Sequence, residues 1–257
     1  NQTDLVENID TEDKLGQPMV NLALIRDWGM VDLYLLPGFR ERTFPGGDGR
    51  LRTPLVVDPD LVRYESGAKE HRVDSALRWF RTLGIWDIGL AHFHGTSREP
   101  QLLPTLNVQG EAVLAPYYPV IDQTSLDVQA TLDAWLWKLE WITRNGLGDR
   151  YTAFAGGFEY TFIGVFDSVA DVGLIGEYLF DDRDADATSL FQDDITLGLR
   201  LALNDIQSSE LLFGMTIDRH DTRQRFYNLE ASRRLGERWK LSLEARFTNG
   251  LDSHPNL

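Results

Sequence analysis

Between Asp193 and Asp218 every second residue is large and apolar through two successive runs: Ile195, Leu197, Leu199, Leu201 and Leu203, then Leu211, Phe213, Met215 and Ile217. Side chains point alternately to the two sides of a strand, so each run has one dry and one wet face. The dry side must meet either a protein core or lipid, and that choice governs what the chain can be.

The same period recurs along the whole chain. It predicts about twelve strands, near Met19–Arg26, Met30–Phe39, Val73–Thr82, Trp86–His94, Ser125–Leu132, Ala134–Arg144, Tyr151–Phe162, Asp171–Phe180, Asp194–Leu203, Glu210–Asp218, Arg225–Leu235 and Trp239–Thr248. Several approach the roughly 9–11 residues of a tilted membrane-crossing strand. Connections alternate between short turns, such as Asp27-Trp28-Gly29, and longer polar links, such as Arg40–Arg72 and Gly95–Thr124. An up-and-down meander with two unlike ends has that pattern. "DAWLWKLEWITRNG" and "VDSALRWFRTLG" also read as amphipathic helices, but removing either would break the alternation, so both are taken as strands.

Sorted by face, one side carries the aliphatic and aromatic residues. The other carries Ala153, Ala155, Gly157, Gly173, Gly198 and Ala202 among charges. Exposed Gly and Ala would weaken the strands of a soluble sandwich. Inside a closed lumen they leave room beside long charged side chains, which favours the apolar face outward. Trp28, Trp86 and Trp239 lie at short turns and Tyr178 and Phe180 near opposite strand ends, as in an aromatic girdle.

Composition narrows the functional classes. A net charge of −15 argues against nucleic-acid partners. No run approaches 18 apolar residues, which excludes a transmembrane helix but not a barrel. With no cysteine there is no thiol chemistry and no disulfide framework.

The stretches "NQTDLVENIDTEDKLGQPMV", "VDLYLLPGFRERTFPG", "HFHGTSREP", "LDAWLWKLE", "GGFEYTF", "ALNDIQSSELL" and "RRLGERWKLSLEAR" together resemble a group of uncharacterised proteobacterial outer-membrane porin-like proteins. The resemblance implies an all-β, antiparallel up-and-down transmembrane β-barrel in the bacterial outer membrane, and it supplies no substrate. Residues 1–257 are read as a single barrel domain lacking strands at both termini, because "NGLDSHPNL" reads as the start of another loop. The expected activity is passive diffusion of small hydrophilic solutes or ions. The alternative is a non-conducting barrel that serves as a structural or adhesion scaffold through its external loops. A soluble β-protein stands third. Expected partners are outer-membrane lipid, lipopolysaccharide and small solutes.

The residues expected to line a pore are Arg78, Asp87, Asp127, Lys138, Glu140, Glu159, Asp171, Glu177, Arg200, Glu210, Glu230, Lys240, Glu244 and Arg246, with Asp74, Arg144 and Arg234 on the same side. Charges of both signs across a wet pore set ion selectivity; paired with each other, they would instead fill a closed lumen. Arg40, Arg42, Arg50 and Arg52 form a basic patch on the longest loop, read either as anion capture or as local pairing with Glu41 and Asp48. His92 and His94 share a face with metal-pair spacing, but their place beside Leu90 reads better as interfacial histidines. The Asp181–Asp194 acidic loop reads as solvated. His220 with Asp221, or His94 with Ser97, lacks a third catalytic partner, so no catalytic residue, metal or cofactor is expected.

Overall fold

The computed structural model describes residues 2–3, 14–49, 53–184, 187, 189 and 191–250. Almost every element is a strand. In chain order they are β1 (Gln2–Thr3), β2 (Lys14–Leu15), β3 (Val20–Arg26), β4 (Gly29–Pro37), β5 (Arg63–Tyr64), β6 (Val73–Leu83), β7 (Trp86–Thr96), β8 (Gln101–Leu106), β9 (Ala112–Tyr118), β10 (Val120–Leu132), β11 (Trp135–Asn145), β12 (Tyr151–Phe162), β13 (Asp171–Asp181), β14 (Asp193–Ala202), β15 (Glu210–Asp218), β16 (Arg225–Leu235) and β17 (Trp239–Asn249). A twelve-stranded sheet has the order β3-β4-β6-β7-β10-β11-β12-β13-β14-β15-β16-β17, which is chain order with β5, β8 and β9 left out. Those three form a separate small sheet, and β1 pairs with β2. Among the described residues no helix is long and apolar enough to cross a membrane.

The strand order ends at β3 and β17, and no ladder between them occurs among the described residues. The fold observed is therefore an antiparallel all-β sheet, and barrel closure is not seen.

Both segments with a double reading are strands. The β10–β11 connection is the two-residue turn Asp133-Ala134, with Asp133 at φ 51°, a left-handed conformation that a short Asp side chain tolerates. Alternation along β11 then stacks Trp135 on Trp137, 5.4 Å apart at 15°, and sets both against Phe158 of β12. Such aromatic contacts add about 0.5–1.5 kcal/mol each beyond area burial, and a helix would scatter them. The Gly29 turn is equally specific. Its φ is 133°, and a Cβ there would lie 2.6 Å from the Trp79 Nε1 and 2.7 Å from the Phe80 carbonyl oxygen.

The chain divides into two compact units: Asn1–Phe80 with Leu90–Ser125 and Thr143–Arg150, and Arg81–Gly89 with Leu126–Ile142 and Tyr151–Leu257. In the first, β3, β4 and β6 pair antiparallel, with Leu22 opposite Leu33 and Leu33 opposite Leu77 on one face. Asp32 opposes Arg78, and Leu36 opposes Asp74, on the other. The second unit holds the continuous meander β12 to β17. Its register aligns Phe158, Leu174, Leu197, Leu199, Phe213, Leu229 and Leu243 on one face.

Candidate functional site

In each unit buried polar side chains lie on the face opposite the exposed apolar rows. Asp74 has no exposed surface, and Asp32, Asp194 and Thr216 are buried. On the opposite face Leu197 is 50%, Leu243 54% and Leu22 67% exposed. An ordinary soluble sheet has the reverse distribution.

Within the second unit, the register sets Glu159, Asp171, Glu177, Arg200, Glu210, Glu230, Lys240, Glu244 and Arg246 on a single face. Lys138 and Glu140 join them, since Leu139 between them packs against Gly156 on the apolar side. Glycines make this crowding feasible. A Cβ on Gly173 would lie 2.5 Å from the Glu159 carboxylate and 3.3 Å from Arg200 Cβ. Gly89 leaves space in the same way for Asp127. Replacing these hydrogens with methyl groups would push the charged side chains away.

Several predicted residues come together. Arg200 Nε donates to Glu159 at 3.0 Å. Glu177 lies in the field of Glu140 and Lys138. Glu230 directly opposes Glu244, whose carboxylate is 3.7 Å from Arg246, and Arg234 opposes Lys240. Other predicted residues serve local structure. Asp87 accepts from the Thr82 hydroxyl at 2.6 Å, and Asp171 accepts from the Gly164 amide at 2.9 Å and the Asn204 amide at 2.8 Å. Glu210 opposes Ala202 and Ser232 and is exposed.

The first unit holds a denser network on its polar face, and the alternating pattern alone does not reveal it. Asp74 accepts from the Thr96 amide at 2.9 Å, Arg72 Nε at 3.2 Å and an Arg98 terminal nitrogen at 2.6 Å. Arg98 also donates to Gln17 and lies over the rings of Phe39 and Phe93, 5.2 and 5.0 Å from their centroids. Arg144 binds Glu99 at 2.7 Å and Gln123 at 2.7 Å. The long connections are thereby fastened to the polar face. Around them Phe39, Tyr64 and Tyr118 form an aromatic cluster with centroids 4.8 to 6.1 Å apart. Burial pushes the Tyr118 phenol up to about 12. Tyr64 is raised as well, by burial and by donating its proton to Glu41.

Two members of the predicted basic patch are described, and they differ in surroundings. Arg40 reaches outward to the Gly16 carbonyl at 3.4 Å, whereas Arg42 turns inward, its amide donating to the Tyr118 hydroxyl at 2.9 Å. Arg50 and Arg52 lie outside the described residues. Burial lowers the Arg42 guanidinium from the usual arginine range, opposed by the field of Glu99.

His92 and His94 keep to the face of Leu90. Arg72, which only donates, bonds His94 Nε2 at 2.7 Å, so His94 Nδ1 carries the proton given to Asp122 at 2.8 Å. His92 Nδ1 is 3.0 Å from the Thr124 hydroxyl. Among the described residues no group of three or more His, Cys, Asp or Glu is arranged to hold a metal. Neither catalytic pairing forms. Asp221 is engaged by Arg223 at 2.9 Å, and the buried Ser97 hydroxyl donates to the Glu99 carbonyl at 2.7 Å. The acidic loop is mixed: Asp182 and Asp184 are exposed, whereas Asp181 takes a bidentate bond from Arg183 and Asp193 pairs with Arg219 at 2.7 Å. Asp186 lies outside the described residues.

Compared with family models, curated proteins and solved structures, the chain matches none.

Proposed function

We propose that the sheet is the wall of an outer-membrane β-barrel whose apolar face meets lipid and whose polar face lines an aqueous pathway for small hydrophilic solutes or ions. One observation carries this reading: Asp32, Asp74, Asp194 and Thr216 are buried on the polar face while rows of Leu, Phe and Trp stand exposed on the other. In lipid the energetic preference inverts relative to water, and a barrel leaves no backbone edge unpaired.

A second reading has its own support. The network that fastens Arg98 and Glu99 to the polar face in the first unit places loop residues where a pathway would run, as in a non-conducting scaffold barrel. Planar-bilayer recording on the full-length protein separates the two. Discrete conductance steps are expected; a trace that stays closed, and remains so after residues 97–119 are shortened, would favour the scaffold.

A further inference from the structure

At one end of the second unit the polar face carries an apolar hollow. The register sets Ala153 beside Asp181 and Ala155 beside Leu179, and alternation along β11 puts Glu140 and Ile142 on the same side. Beyond β13, Phe191 is held over this face. The Asp181 amide donates to the Gln192 carbonyl at 2.8 Å, and Phe191 packs edge-on against Phe226, which opposes the buried Thr216. A cavity of about 270 Å³ results, with Phe191, Ile142, Ala153, Ala155 and Leu179 as apolar walls and Glu140 and Asp181 as its acids. The two acids differ. Asp181 is buried, and Arg183 holds its carboxylate through two nitrogens. Glu140 is exposed and has no hydrogen bond or ion pair among the described residues. Lys138 acts on Glu177 together with Glu140, and Asp194 lies opposite Leu179. Around the cavity this unit therefore sets four acids, Glu140, Glu177, Asp181 and Asp194, against the bases Lys138 and Arg183.

We propose that this cavity binds a small primary amine carrying an apolar group, with the ammonium at Glu140 and the apolar group against Ile142, Leu179 and Phe191. A pocket with mostly apolar walls and one charged group at its edge orients such a ligand. A cavity of roughly 150 Å³ admits benzene, so this one has room for a ring on a short chain. An ammonium brings three donors to the carboxylate that the chain leaves without a partner. A carboxylate ligand would be repelled by the local excess of acids, and a neutral one would gain no charge pairing from Glu140. The proposal names a solute class for the polar face and rests on that face meeting water; it does not require that the pathway conduct.

The test is calorimetric titration of the full-length protein in non-ionic detergent micelles, against empty-micelle blanks, with phenethylamine, phenethyl alcohol, hydrocinnamate and ethylamine. The proteins are wild type, Glu140→Gln, Ala155→Phe and Phe191→Ala, with circular dichroism melts to establish folding. Phenethylamine is expected to bind the wild type more tightly than the alcohol or the carboxylate does. Its affinity should fall about fivefold in Glu140→Gln, the upper range for an exposed ion pair. Ethylamine, which lacks the ring, should bind about a hundredfold more weakly through lost apolar burial. Ala155→Phe fills the cavity and should abolish binding, and Phe191→Ala removes one wall and should weaken it. Equal phenethylamine affinity in wild type and Ala155→Phe overturns the site; where Ala155→Phe does not fold, equal affinity in Phe191→Ala does so. Equal affinity for the amine and the alcohol in wild type overturns the ammonium assignment, as does an unchanged amine affinity in Glu140→Gln. No phenethylamine binding at all overturns the proposal outright. Conductance is recorded separately: binding in a protein that never conducts upholds this site and sinks the channel reading, and conductance without binding does the reverse.

Discussion

Leu197→Arg is the sharpest test of which face meets lipid. Leu197 lies four residues from one end of β14 and five from the other, between Gly176 and Met215 on the apolar face, and it is half exposed. In lipid this position is near the midplane, where a charged residue on a barrel's outer face costs about 2–4 kcal/mol. In water an exposed Leu→Arg change stays within about 0.5 kcal/mol. The neighbouring Arg200→Leu substitution controls for side-chain size. Arg200 is half exposed, so losing its pair with Glu159 costs no more than about 1 kcal/mol. Equilibrium urea unfolding from lipid vesicles, followed by tryptophan fluorescence, reads both changes in one assay. Leu197→Arg should shift the midpoint far more than Arg200→Leu does. If the two shifts are equal, or the order is reversed, the apolar face does not meet lipid and the reasoning fails.

Three further outcomes follow from the polar face and its turns. Asp74→Ala leaves Arg72 and Arg98 without their shared, fully buried carboxylate, and should destabilise the fold by about 3–5 kcal/mol; an unchanged melting temperature would contradict the network. Gly173→Val drives a methyl group into Glu159 and should cost about 1–3 kcal/mol. Gly214→Ala, with open space at its Cβ, should be neutral or slightly stabilising, and a chemical-denaturation series should separate the two. Asp205 is held below the usual carboxylate range, chiefly by the Ser209 amide. A depressed folded-state value means that its contribution is fully present above the ordinary Asp value of about 3.9 and is lost as pH falls. Asp205→Asn should therefore flatten that acid limb in a stability profile between neutral pH and acid, and an unaltered limb would show that the turn does not contribute to it.

The strands were readable because a face requires only local information. Tyr151–Phe162, Glu210–Asp218 and Arg225–Leu235 have the boundaries that their alternation and flanking turn residues imply. The reading failed where alternation breaks. β10 begins at Val120, five residues before the apolar run, because Asp122 and Thr124 sit on the apolar face opposite His94 and His92, a pairing no local window contains. β8 and β9 fall within the expected Gly95–Thr124 link; Pro104 and Pro116 interrupt them, and proline is tolerated only where its missing donor is not needed. The site is harder for a related reason. Arg40 and Arg42 are alike in type and two positions apart, yet one meets the Gly16 carbonyl in the open and the other is tied through its amide to the buried Tyr118, 76 residues away in sequence. Of the three groups that bond Asp74, only Arg72 is a sequence neighbour. Periodicity reports which side of a strand a charge occupies, while its partner is chosen by loop closure over distances that composition does not encode.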